Sequence, residues 1–79
     1  MEQKVYLVYE QVYYNNKFVY DEDKHSFISK KDAYIWMEKE KIKLIEKGYT
    51  IIEKPTEKDE FAAKLGDITR WLNIILASV

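Results

Sequence analysis

Residues 4–14, KVYLVYEQVYY, are dense in Val and Tyr, residue types that suit a pleated, half-buried surface. Val5, Leu7 and Tyr9 fall on one side of such a strand, and Tyr6, Val8 and Val12 on the other. Apolar groups on both sides predict a strand that is central in its sheet or covered on both faces. Asn15-Asn16 comes next. Asn tolerates the positive φ that a tight hairpin demands, so residues 17–20, KFVY, read as the return strand. Asp21, Glu22, Asp23 and Lys24 then read as a solvated loop, and residues 25–28 as a continuation of the sheet.

The period changes at Ser29. Ser29 with Asp32 three residues on resembles a capping box, and a helix is expected over residues 30–47 with Gly48 just past its end. At 100° per residue Ala33, Tyr34, Trp36, Met37, Leu44 and Ile45 form one arc that should lie on the sheet. Ile35 and Ile42 sit together on the opposite side and require a second partner. Residues 49–53, YTIIE, read as a third strand stopped by Pro55. Thr56 with Asp59 repeats the cap signature.

From there Phe61, Leu65, Ile68, Leu72, Ile75 and Val79 recur in steps of 4, 3, 4, 3 and 4, which is the a/d spacing of an amphipathic helix. Trp71 and Leu76 widen that stripe, and Gly66 falls on its polar side. An edge strand from Thr69 onward is the alternative. The expected order is β-β(-β)-α-β-α: an α+β fold, with a small, mainly antiparallel sheet, one helix packed on it and a C-terminal amphipathic helix. Residues 1–79 form a single domain in this reading.

Composition narrows the chemistry. The chain has 79 residues, 47% apolar and 34% charged, which fits neither a disordered nor a membrane-embedded chain. With no Cys and one His, disulfide frameworks, thiolate zinc sites and Cys nucleophiles are excluded. His25 has only Ser26 and Ser29 as neighbouring hydroxyls. Gly48 and Gly66, the only glycines, are too few for a phosphate-cradling loop. An enzyme is not expected, nor is a cofactor or a bound metal. The N-terminal apolar run is too short for a secretory segment and the C-terminal one too short for a span, so a cytoplasmic setting is expected, with no membrane partner.

The seven tyrosines and the acidic run carry the remaining candidates. Tyr suits interfaces because it buries a large ring while its hydroxyl stays wet. Tyr6, Tyr13, Tyr14 and Tyr20 with Asp21, Glu22 and Asp23 are the candidate protein-binding residues. The alternative is a single-stranded nucleic-acid binder that stacks bases on Tyr6, Tyr13 and Tyr14 beside Lys17. A net charge of −1 and a single Arg argue against it. The row Lys39, Lys43 and Lys47 is interleaved with Glu38, Glu40 and Glu46 and reads as a solvated helix face.

The order V-Y-L-V-Y, a turn, S-F-I-S-K-K-D-A-Y-I-W-M and then G-Y-T-I-I-E resembles, over residues 4–53, a loose pattern among small accessory proteins encoded by phages and other mobile elements. No catalytic motif comes with it. The resemblance implies an inhibitor that binds a bacterial host protein, such as a nucleic-acid-handling defence enzyme, in the manner of anti-CRISPR and other anti-defence proteins. An acidic patch would then compete with nucleic acid for a basic groove on that partner. Finally, Ile35 and Ile42 together with Leu65, Ile68, Leu72 and Ile75 form the expected self-association surface, because a core this small gains from a homodimer seam; the alternative is a monomer in which the C-terminal helix folds back and covers Ile35 and Ile42 within one chain.

Overall fold

The computed structural model describes residues 3–53 and 59–78 of the chain. The element order is β1 (Lys4–Tyr14), β2 (Lys17–Phe27), α1 (Lys30–Glu46), β3 (Thr50–Ile52), β4 (Glu60–Leu65) and β5 (Ile68–Ser78). The strands form one five-stranded antiparallel sheet in the order β2-β1-β5-β4-β3. α1 crosses one face of it, from the end of β2 at one edge to the start of β3 at the other.

The β1–β2 turn is closed by Asn15 at φ 53° and Asn16 at φ 64°, as a two-residue hairpin with right-handed strand twist requires. β2 then runs on through Asp21 to Phe27 as strand rather than loop, its register against β1 broken by two bulges, one beside Val8 and Tyr9 and one beside Val12 and Tyr13. α1 ends in a Schellman motif: Gly48 at φ 97° donates to the Ile45 carbonyl at 3.0 Å, and Tyr49 donates to that of Leu44 at 3.0 Å. At its other end Ser29 occupies the N-cap position but makes no side-chain capping bond. The start of α1 is held instead by Asp59, which accepts from the Tyr34 hydroxyl and pairs with Lys30 at 3.3 Å.

The expected fold is corrected in its second half. Among the described residues no helix follows β3; residues 60–65 and 68–78 are antiparallel strands. Gly66 (φ 58°) is the first residue of the two-residue β4–β5 turn, where only Gly meets the positive φ easily. Strand alternation and helical spacing coincide here. Phe61, Leu65, Ile68 and Leu72 share one face in both readings, because the turn resets the parity between Leu65 and Ile68. They separate at Ile75, which alternation turns away from buried Leu72 and Ile74. Ile68, Thr69, Ile74 and Ile75 are β-branched, and pairing along the whole of β1 decides in favour of strand. The expected cap at Thr56 and the stop at Pro55 lie outside the described residues.

The core lies between α1 and the sheet: Val8, Ala33, Met37, Leu44, Phe61, Ala63, Leu72 and Ile74, flanked by Tyr6, Phe27, Tyr34, Trp36, Tyr49 and Ile51. No described element covers the other sheet face. Both sheet edges are blunted against further strands. β2 carries two bulges and the run Asp21-Glu22-Asp23-Lys24, and β3 is three residues long. No helix among the described residues is long and apolar enough to cross a membrane.

Candidate binding surface

α1 starts beside Phe27, at the far end of the β1–β2 hairpin, and ends at the opposite sheet edge beside β3, which leaves the corner at the β1–β2 turn bare. Tyr14, Phe18, Val19 and Tyr20 are there between 43% and 56% exposed. Phe18 meets the Tyr13 ring edge to face at 5.8 Å, which fixes an aromatic pair at the surface. Asp21, Glu22 and Asp23 follow directly along the edge and are all exposed. Register places Asp21 beside Gln11 and Asp23 beside Tyr9, on the face away from α1. Neither carboxylate makes an ion pair with a described residue. Glu22 points to the helix side, where Lys24 holds it at 2.6 Å.

Below this corner a polar pocket of about 310 Å³ opens between the sheet and the end of α1, lined by Glu10, Tyr20, Lys24, Glu40, Leu44, Lys47, Tyr49 and Arg70. Glu10 is the one buried charged residue among those described, at 2% exposure. It sits directly across from Glu22, a like-charge pairing that costs stability unless compensated. The bulge beside Tyr9 supplies the compensation. Lys24 is the extra residue there, and its ammonium lies 3.4 Å from Glu10 and 2.6 Å from Glu22. Arg70 adds a second cation at 3.1 Å from Glu10 and donates to the Tyr49 hydroxyl at 3.0 Å.

The hydrogen bond to Glu22 raises Lys24 above its ordinary value, and Lys24 in turn lowers Glu22. For Arg70 burial is the largest influence and opposes its charge, yet the Tyr49 and Tyr20 hydroxyls and the Glu10 carboxylate outweigh it and raise the guanidinium. Within the pocket Glu10, Lys24 and Arg70 satisfy one another, whereas Glu40 and Lys47 in its lining make no ion pair with a described residue. The Glu10–Lys24–Arg70 cluster is a brace joining β1, β2 and β5. No cluster of His, Cys, Asp and Glu that would hold a metal occurs among the described residues.

The candidate residues from the sequence divide across the sheet. Tyr13, Asp21 and Asp23 lie on the uncovered face. Tyr14 and Tyr20 lie on the helix side at the bare corner, where both remain exposed. Tyr6 is at the far end of β1, packed on the core, and leaves the site. The proposed base-stacking set of Tyr6, Tyr13, Tyr14 and Lys17 therefore does not form one platform.

The expected self-association stripe is broken up as well. Leu72 is fully buried, Ile68 is half-buried on the helix side, and Leu65 is exposed at the end of β4. Ile75 is exposed on the opposite face, and Ile35 and Ile42 are exposed on the back of α1.

Phe18 and Val19 were not singled out as contacts from the sequence, because a K-F-V-Y strand reads as core unless it is known that one face of the sheet is uncovered. Glu10 had a signal: a lone acid inside an apolar strand needs a buried cation, and Arg70 is the only arginine. Comparison with protein-family models, curated proteins and solved structures finds no match to this chain.

Proposed function

We propose that the protein is a non-enzymatic protein-binding module whose contact surface is the bare corner of the β1–β2 hairpin. The supporting observation is one contiguous stretch of edge strand, Phe18 to Asp23, in which exposed apolar side chains run directly into exposed carboxylates. Aromatic anchors beside a charged rim suit a protein interface. Asp21 and Asp23 lie on the face away from α1 and make no ion pair with a described residue, so the fitting occupant is a protein with a basic groove, such as one that handles nucleic acid. Inhibition of a bacterial defence protein is the version that the sequence resemblance implies.

Charge favours a protein over nucleic acid as the ligand in this reading. Among the described residues the edge of the uncovered face at this corner carries Asp21 and Asp23, and a phosphate backbone needs positive charge. The test is a paired capture from bacterial lysate with the wild-type chain and with the double charge reversal Asp21→Lys and Asp23→Lys. A host protein retained by the first, lost with the second and released by rising salt supports the reading. Capture that ignores the reversal, or an oligonucleotide bound more tightly than any protein, overturns it.

A further inference from the structure

The uncovered sheet face has a composition of its own. Its two central strands present Leu7, Tyr9, Gln11 and Tyr13 from β1, paired in register with Ile75, Asn73, Trp71 and Thr69 from β5. None of these eight side chains is charged. Trp71 and Ile75 are 36% and 43% exposed, and Ile52 from β3 is 53% exposed. The charged groups of this face, Asp21, Asp23, Glu60 and Lys64, stand to either side of that centre.

At its middle is a polar defect. β5 is the third of five strands, and Asn73 is the midpoint of β5. The Asn73 amide nitrogen, Nδ2, is buried and has no hydrogen-bond partner, alone among the buried side-chain polar atoms of the described residues. An unmet buried donor costs about 1–3 kcal/mol. The residue as a whole is only half-buried, so rotation about its terminal torsion, which is soft in Asn, can present the carboxamide to a facing group.

We propose that this face binds a second copy of the chain, sheet against sheet, about a twofold axis that passes Asn73 and runs along β5. This surface is centred on Asn73 and meets the hairpin corner at Tyr13, on the same sheet face as Asp21 and Asp23. Three properties select a second copy as the occupant. A self-complementary interface needs a centre without net charge, and this one has it. The footprint matches: strand spacing and rise give the sheet a flat area on the order of 650 Å², near the roughly 800 Å² of accessible surface that each member of a specific pair contributes. The third is Asn73 itself, since two carboxamides brought together on a twofold axis can each donate to the other.

The direction of the axis follows from charge. An axis along β5 lays β1 of the second copy over β4, so that Glu60 faces the Tyr9 hydroxyl and Lys64 faces Tyr13. An axis across the strands would set Glu60 on Glu60 and Asp23 on Asp23, and like charges buried against each other are costly. The blunted edges of β2 and β3 close the competing edge-to-edge route.

Sedimentation equilibrium on the full chain, on Trp71→Glu and on Asn73→Asp tests the proposal, with circular dichroism and urea midpoints as controls for folding. The expected result is a wild-type dimer, a folded monomer for Trp71→Glu, and dimerisation at least tenfold weaker for Asn73→Asp, which brings two carboxylates together at the axis. A monomeric wild type at 100 μM overturns the proposal. So does a dimer that survives Trp71→Glu, because association then uses another surface. Should Trp71→Glu fail to fold, Gln11→Glu makes the same test from β1. Full-strength dimerisation of Asn73→Asp overturns the placement of the axis.

Discussion

Arg70 on β5 donates through Nη1 to Glu10 on β1 at 3.1 Å, diagonally across the ladder, since Arg70 is in register with Val12 and Glu10 with Leu72. This one bond links the only arginine of the chain to the one buried carboxylate among the described residues. With Lys24 it joins three strands around a pocket that a purely apolar core would have closed. Breaking it from one side should cost more than removing both partners. Removing one member of a buried pair typically costs about 3–5 kcal/mol, and Arg70 is partly solvated, with 27% of its side chain exposed. Arg70→Met is therefore expected to destabilise by about 2–3 kcal/mol in urea unfolding. Adding Glu10→Met to it should restore part of that loss. A double variant less stable than Arg70→Met would contradict the brace.

Ser29→Ala should be nearly silent. The N-cap substitutions that cost about 0.5–2 kcal/mol remove a bond to a helix N–H, and Ser29 makes none. A urea midpoint lowered by more than about 0.5 kcal/mol equivalent would show that the hydroxyl caps the helix in solution.

Gly48→Ala should cost about 1–2 kcal/mol, because an L side chain in the left-handed region strains the backbone. Space is not the obstacle there: an added Cβ would lie 3.8 Å from Leu65 Cδ1, an ordinary contact. The loss should appear in thermal unfolding, with the helix content of the folded state unchanged.

Acid should weaken the hairpin through Glu22. Lys24 lowers the Glu22 pKa below its ordinary value of 4.5. A lowered carboxyl contributes stability that is complete above the unfolded value and is lost as pH falls through the folded one. Wild type should therefore lose stability more steeply than Glu22→Gln below about pH 4.5, and the two slopes should run parallel at neutral pH. Equal slopes through the acid range would show that the pair does not persist in solution.

The expected a/d stripe makes its own contrast. Leu72 is wholly buried and Ile75 is 43% exposed on the opposite face. Leu72→Asp should abolish cooperative unfolding, whereas Ile75→Asp should leave a folded chain. Two similar outcomes would mean that β5 does not alternate as described.

These contrasts show where the sequence was legible and where it was not. Asn15-Asn16, the helix from Lys30 and the Gly48 stop are local signals, written in residues that few other conformations favour. β5 has no such signal. Its identity depends on pairing with β1, more than fifty residues away, and its apolar spacing satisfies two periods at once until Ile75. Gly66-Asp67 between two apolar runs was the available hint of a hairpin turn. The acidic stretch of β2 resembled a loop because its charges fit an edge strand only when β1 lies alongside. All of the candidate contact set except Tyr6 lies in the half of the hairpin nearer the turn, because Tyr13, Tyr14, Tyr20, Asp21, Glu22 and Asp23 are close in sequence to Asn15-Asn16, while Tyr6 is a strand's length away.

The affinity of the captured host protein for wild type and for Phe18→Ala, measured by isothermal titration, tests the central claim most directly. Phe18 is 55% exposed and packs only on the Tyr13 ring among the aromatic contacts, so the variant should fold with an unchanged urea midpoint. A contact surface at the hairpin corner predicts binding weakened at least tenfold. An affinity within twofold of wild type would place the binding surface elsewhere on the molecule.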